Sequence, residues 1–313
     1  MLTYLGRGLV FVPVNALLIL TIVFFVLRVL PGDPAYAILG SDATAESLEQ
    51  VRTSLGLNRP IGVQYVSFLR DMLSGRFGQS FRSDQSALAL IGQTVPYTVD
   101  LAVAGTLIGS CLGILAGVLA AVRRNTSGDL VVRMLSQVGQ SMPAFVLGVL
   151  LVVPFGVKWT LFPVIGGGDL AVFSQRIHHL LLPAVTVGMI QTAFVMRLTR
   201  SAMLDVLGMD YIRTARAKGL TGLVVVLRHA LRNALVTVIT FSGLLFAELL
   251  AGAIVVEAVF ARPGIGTLLV ESIVARDYPV VQGLLALIGG SLILVNLLTD
   301  WLCGAVDPRI RFE

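Results

Sequence analysis

Apolar residues in this chain fall in long runs, not in the two-residue alternation of a half-buried strand. A helix needs about 20 apolar residues to cross the hydrocarbon core of a bilayer. Six windows reach that length, at 8–30, 98–122, 132–154, 180–199, 234–260 and 280–303. The third is irregular: Arg133, Ser136, Gln137, Gln140 and Ser141 make its first half polar, and Pro143 interrupts it. Arg7 precedes the first window as it would in a signal peptide, but no clear small-residue cleavage site follows. That window is therefore expected to stay as a first helix. The pattern predicts an all-α membrane protein of six transmembrane helices.

Between the first two windows the pattern changes. In 31–97, Thr44 can cap a helix whose first turns carry Glu46 and Glu49, where negative charge suits the helix dipole. Leu48, Val51 and Leu55 follow at helical spacing, and Gly56 can close that helix. A second amphipathic stretch puts Tyr65, Phe68, Leu69 and Met72 on one face and ends near Gly75. The expectation is a small helical cap outside the membrane; an ordinary ordered loop is the alternative.

Composition supports a polytopic membrane protein. The chain is 56% hydrophobic and 13% charged, against roughly a quarter charged in soluble domains. Its mean hydropathy is +0.89. A net charge of +5 would suggest nucleic acid in a soluble chain. Here the cations gather in particular loops and read as topology signals. Segment 123–133 holds Arg123, Arg124 and Arg133; segment 197–232 holds Arg197, Arg200, Arg213, Arg216, Lys218, Arg228 and Arg232; the tail holds Arg309 and Arg311. The opposite short loops hold Lys158, Arg176, Arg262 and Arg276. Both termini are thus expected in the cytoplasm, and 31–97 outside. Cys111 and Cys303 are isolated in apolar runs and form neither a disulfide framework nor a zinc site.

Catalytic chemistry is missing from the pattern. No phosphate-binding G-x-x-x-x-G-K-[ST] and no H-E-x-x-H occurs. His178 and His179 are adjacent, so both rings cannot easily share one helical face; a solvated pair at the outer end of the fourth span is expected. Within the spans, Glu248 faces either a polar translocation cavity, with Ser242, Ser141 and Gln140 as further candidates, or a helix–helix hydrogen bond. Asp100, Arg28 and Glu257 near span ends are expected to snorkel, and Asn296 and Asp300 to tie helices together. Gly105, Gly109, Gly113 and Gly117 recur every four residues and predict close helix packing, within the chain or between subunits.

The basic segment 210–232, DYIRTARAKGLTGLVVVLRHALR, suits a surface docking element. Tyr211, Ala215 and Lys218 lie at i, i+4 and i+7, so one face can enter a partner's groove. Gly219 lets the chain turn back to the membrane, and Arg213 and Arg216 can meet acidic groups or lipid phosphates. A loop touching only lipid headgroups is the alternative.

The chain also resembles a known family from end to end. Leu30 to Pro34 (LPGDP), Leu55-Gly56-Leu57 with Arg59-Pro60 and Gln64-Tyr65, and Ser141 to Phe145 (SMPAF) are similar to motifs of B-type permease subunits of dipeptide, oligopeptide and nickel ABC importers. So are His179 to Gly188, Glu257 to Gly266 (EAVFARPGIG), Arg276 to Gly283 and Asp307 to Arg311, in order and at the right spacing. The family's coupling motif, EAA-x3-G-x9-I-x-L-P, would put its glycine on Gly219, its E-A-A on Arg213, Thr214 and Ala215, and its I-x-L-P on His229 to Arg232. Alanine, glycine and leucine survive. Gly222-Leu223 and Val236-Thr237 depart from the peptide branch, which tends to charge and to proline there, and predict a more apolar or deeper coupling segment.

The resemblance implies a type I ABC importer permease fold, divided into a first helix (1–30), an extracytoplasmic cap (31–97), a five-helix core (98–303) with a coupling loop (199–232), and a cytoplasmic tail (304–313). It implies an ATP-driven importer of peptides, or of nickel or another small solute, in the cell membrane. Implied partners are a second, C-type permease, two ATPase subunits carrying ATP and Mg2+, and an extracytoplasmic binding protein; this chain itself would bind no cofactor. Asp210, Tyr211, Arg213, Thr214, Ala215, Arg216, Ala217, Lys218, Gly219 and Leu220 would form the ATPase contact. Two other classes stay open. An ion-coupled secondary transporter predicts inverted repeats and several intramembrane carboxylates, but no convincing repeat occurs and Glu248 is nearly alone. A membrane scaffold is permitted by the cap and the basic loop, and disfavoured by the motifs.

Overall fold

The computed structural model describes residues 2–29, 35, 39, 44–54 and 56–306, with the side chains of the first helix described from 12 to 26. The LPGDP and DPRIR motifs and Leu55 lie outside the described residues. Helices dominate; the described residues contain no strand, and Gln79 and Ser86 form one isolated antiparallel bridge. The helices are α1 (Leu2–Val29), α2 (Ala45–Ser54), α3 (Ile61–Leu73), α4 (Ala87–Val122), α5 (Ser127–Ser141), α6 (Ala144–Lys158), α7 (Phe173–Leu207), α8 (Asp210–Ala217), α9 (Gly222–Leu250), α10 (Ile254–Val259), α11 (Ile265–Val274) and α12 (Tyr278–Val306).

Four of them, α4, α7, α9 and α12, are long and apolar enough to cross a membrane, and α5 with α6 makes a fifth candidate. That third window is not straight: α5 and α6 meet at an angle of 104°. The cause is Pro143, which cannot continue a helix and holds Met142 in extended backbone (ψ 121°). The fifth window also differs from expectation. Helix α9 stops at Leu250, the chain turns through Gly252 at φ 118°, and α10 begins afresh. Two seven-residue stretches, Val152–Lys158 and Val225–Leu231, widen to π-helix inside α6 and α9.

Contacts divide the chain into two compact units, Met1–Pro96 with Pro263–Ile293, and Tyr97–Arg262 with Leu294–Glu313. In the first, the face read from the sequence of α3 is the packed one. Tyr65, Phe68, Leu69 and Met72 gather with Leu20, Val23 and Phe24 of α1 and Val281 of α12. Phe24 meets the Tyr65 and Phe68 rings at 5.2 and 5.5 Å, and Thr21 Oγ1 is 2.6 Å from Tyr65 Oη. Capping follows expectation: Thr44 Oγ1 accepts from the Ser47 N–H (3.2 Å), and Gly56 and Gly75 take φ of 68° and 72° past the ends of α2 and α3. Asp277 is buried, accepting hydrogen bonds from the Ser80 hydroxyl and the Phe81 N–H (3.2 Å).

In the second unit α7 is central. Its apolar window is 61% buried, against 28–33% for the other three long helices. The glycine repeat of α4 packs on it, within the chain. A Cβ on Gly109, Gly113 or Gly117 would lie 2.5–2.6 Å from the Cβ of Gln191, Val195 or Thr199, while Gly105 faces Val187. Both rows step by four residues, so each glycine leaves a slot for one α7 side chain. From α12, Thr299 and Cys303 face α9, with Cys303 Sγ 3.3 Å from Thr240 Oγ1. Asn296, expected to tie helices, is exposed instead.

The outward apolar side chains include Leu107, Leu112, Leu115 and Leu119 of α4. Such a surface is costly in water and ordinary in lipid.

Candidate coupling segment and translocation residues

Helix α8 is eight residues long and carries Asp210, Tyr211, Arg213, Thr214, Ala215, Arg216 and Ala217. It has one apolar face, Ile212 (fully buried) and Ala215, set against Met203 and Val206 of α7 and Val225, Ala230 and Ala234 of α9. This corrects the face read from the sequence. Ala215 points into the protein, so Tyr211, Ala215 and Lys218 are not a free docking stripe. The helical partner of Ala215 is Ile212, three residues before it, and this one large aliphatic residue between Asp210 and Gly219 was the available signal. The outward face is instead Asp210, Arg213, Thr214 and Ala217, with Arg216 and Lys218 beside it, all exposed. Arg213 and Asp210 form an intrahelical ion pair (3.4 Å) that is 74% and 93% exposed and contributes little. Arg216 and Arg124 border an open cavity of about 280 Å3.

At the end of α8 the Lys218 N–H bonds the Thr214 carbonyl (3.0 Å), and the Leu220 N–H reaches back to Ala215 O (3.4 Å). Gly219 between them takes φ 80°, with open space around its α-carbon. A left-handed residue after a helix end is where glycine is favoured. Thr221 then starts α9, so residues 222–232 of the expected loop are the first turns of a long helix, and 199–207 are the last turns of α7.

Next to this segment is a buried ion pair that the sequence did not suggest. Asp129, on α5, is fully buried and receives Arg200 Nε and Nη2 of α7 at 2.5 and 2.9 Å and the Asn125 N–H at 3.0 Å; Arg133 lies 3.8 Å away. Their positions in the sequence mark Arg200 and Arg133 as topology charges alone. A two-pronged guanidinium on a carboxylate is the strong form of this contact.

A second polar cluster lies at the far ends of α4 and α7. Glu257 does not snorkel: it is fully buried and accepts from Thr98 Oγ1 (2.7 Å). Arg262 is 1% exposed, lies 5.3 Å from the Tyr97 ring centre, and donates weakly to the carbonyls of Tyr97 (3.4 Å) and His179 (3.5 Å). Burial pushes its guanidinium below the ordinary value, while Asp100 and Glu257 pull it up. Asp100 is held by Arg176 at 2.5 and 2.6 Å. His178 and His179 bond the Leu161 and Gln175 carbonyls (2.8 and 2.9 Å). No metal-holding group of His, Cys, Asp or Glu occurs among the described residues.

The four cavity candidates are not gathered together. Ser141 is exposed at the α5–α6 bend and lines an open cavity of about 430 Å3, whose wall includes none of the other three. Gln140 donates to Ala193 O of α7 (3.2 Å), and Ser242 receives the Ser110 hydroxyl of α4 (3.1 Å). Glu248 is exposed on α9, which removes a helix–helix hydrogen bond within this chain as its role.

Residues 113–312 match the family "binding-protein-dependent transport system inner membrane component", and residues 1–102 match the N-terminal part of such membrane components. The chain belongs to that family. It is 39% identical to a probable peptide ABC transporter permease protein of Sinorhizobium fredii, over 93% of each chain. It is 40% identical to the glutathione transport system permease protein GsiC of Salmonella typhi, over 100% of each. Among solved structures it resembles the inward-facing MetNI methionine ABC transporter, with TM-score 0.57 and 22% identity over 70% of this chain and 97% of that one. That likeness supports the fold.

The protein is thus a membrane permease subunit of a peptide-type ABC transporter, an inner-membrane component and not itself an enzyme. Permeases of this family work with an ATPase and a binding protein, as the family description implies.

Proposed function

We propose that this permease is one half of a pore in an importer of di- or oligopeptides. The carrying observation is full-length similarity to relatives named for peptide and glutathione transport, glutathione being itself a modified tripeptide. Nickel or another small solute is the second reading. A C-type permease completes the pore, two ATPase subunits bind ATP and Mg2+ on the cytoplasmic side, and an extracytoplasmic protein delivers cargo. Six spans, counting α1 and the bent α5–α6 pair, leave both termini in the cytoplasm, with 31–97 as the outer cap, 98–303 as the core and 304–313 as the tail. Transport is alternating access without covalent chemistry in this chain.

The ATPase contact is the outward face of the stretch Asp210 to Leu220, formed by Asp210, Arg213, Thr214, Arg216, Ala217 and Lys218, within the 199–232 segment. Its support is a small helix with a fixed inner face and a cationic outer one. For the pathway, Glu248 is the strongest of the four candidates, because an unpaired carboxylate against lipid is costly and a watery cavity relieves it. Ser141 lines a cavity; Gln140 and Ser242 hold helices that border the path.

Three measurements test this. Ligand released from the isolated binding protein identifies the cargo, and a metal or sugar there would remove the peptide assignment. Reversing Arg213 and Arg216 to Glu should cut ATPase co-purification at least tenfold while the permease still inserts. Gly219→Val should uncouple hydrolysis from uptake, since a β-branched residue at φ 80° is strained by roughly 1–2 kcal/mol. Wild-type coupling in both variants would discard the segment.

A further inference from the structure

Helices α8 and α9 form a hairpin. Its closed end is the turn at Gly219, and its open end brings Tyr211 beside the third and fourth turns of α9. There the Tyr211 hydroxyl donates to the His229 carbonyl (3.3 Å) and accepts from the Asn233 side-chain amide (2.5 Å). His229 belongs to the π-helical stretch Val225–Leu231, and Asn233 to the α-helical turn that follows. A carbonyl has two lone pairs and can take the phenol besides a backbone donor. The other attachment of α8 is apolar, Ile212 and Ala215 against Met203, Val225 and Ala230. Apolar contact is non-directional and lets a small helix roll about its axis. Two hydrogen bonds to one hydroxyl do not.

We infer that Tyr211 and Asn233 are a latch that makes α8 and the start of α9 move as one lever, so displacement of α8 reaches the membrane-spanning part of α9. The inference rests on the reading of Asp210–Leu220 as the ATPase contact. Tyr211 is here a positioning residue and not itself the docking surface. Hydrogen bonds cross the α8–α9 hairpin at its open end, where leverage against the Gly219 turn is greatest.

The test uses the complete transporter in proteoliposomes, with ATP hydrolysis, uptake and ATPase co-purification measured on the same preparations. Tyr211→Phe keeps the ring and removes only the hydroxyl; Asn233→Ala removes the other partner. Each should raise ATP hydrolysed per solute imported about five- to tenfold, with ATPase co-purification unchanged. The double variant should be no worse than Tyr211→Phe alone, which already removes both hydrogen bonds. Asn233→Gln, which can still reach the phenol, should recover part of the coupling. Coupling unchanged in Tyr211→Phe overturns the latch. Loss of ATPase from Tyr211→Phe also overturns it, making the hydroxyl a docking contact. If Arg213 and Arg216 reversal leaves the ATPase bound and coupled, it is the docking reading that fails.

Discussion

Gly113→Leu is expected to leave little folded permease. A Cβ at this position would lie 2.6 Å from Val195 Cβ and 3.0 Å from the Met196 backbone nitrogen, on the helix that forms the centre of its unit. Backbone cannot rotate away as a flexible side chain can, so α4 and α7 must separate. Inserted volume in a packed core usually costs 1–3 kcal/mol, and here about 3 kcal/mol or more is expected, because parting the helices also disturbs the neighbouring slots at Gly109 and Gly117. Gly92→Ala on the same helix is the control. Nothing lies within 4 Å of a Cβ there, and alanine should gain a few tenths to about 1 kcal/mol from helix propensity. Thermal unfolding of the detergent-purified complex reads both. Gly113→Leu with wild-type stability would mean that α4 and α7 are not packed through this groove.

The second large effect is at the buried ion pair. Arg200→Ala takes from the buried Asp129 carboxylate its two-pronged partner and leaves it Arg133 at 3.8 Å and the Asn125 N–H. Stranding a buried charge costs about 3–5 kcal/mol. Asp129→Ala should cost less, because the Arg200 side chain is already 19% exposed and can reach water. The double variant should be less damaged than the sum of the singles, and Asp129→Arg with Arg200→Asp should not rescue. The Asn125 N–H needs an acceptor at position 129, and Asn125 itself sits at φ 64°, closing the turn before α5. Full rescue by the charge swap would show that only the sign of the pair matters.

Both sites show what one-dimensional reading can reach. The glycine groove was legible because close packing leaves a four-residue period on the helix that supplies it. Its partner was not, since Val187, Gln191, Val195 and Thr199 look like any apolar-to-polar helix face. Asp129 and Arg200 are 71 residues apart, and each has a bland local explanation, a charge in a first helical turn and a cation at a span end. The same holds for Arg262 and Glu257, whose burial depends on Tyr97, Thr98 and His179 arriving from other helices. In α8 the period was too short to choose between faces: eight residues make little more than two turns, and Tyr211 and Ile212 are both plausible inner positions until α7 and α9 are in place.

What the amino-acid order determined by itself was everything governed by the bilayer and by local backbone chemistry. Length and apolarity select membrane helices because hydrocarbon offers the backbone no hydrogen bonds, and a helix satisfies its own within one segment. Thr44, Gly56, Gly75 and Gly219 end or start helices through contacts a few residues away. The ordered motifs, from SMPAF to EAVFARPGIG, carried the family. The tertiary structure alone decided which side of each helix meets protein. It placed Ile212 and Ala215 inward, buried Asp129, Glu257 and Arg262, and left Glu248 outward. These outcomes depend on which distant surfaces meet, and burial energy belongs to the pair of surfaces, not to either stretch of chain.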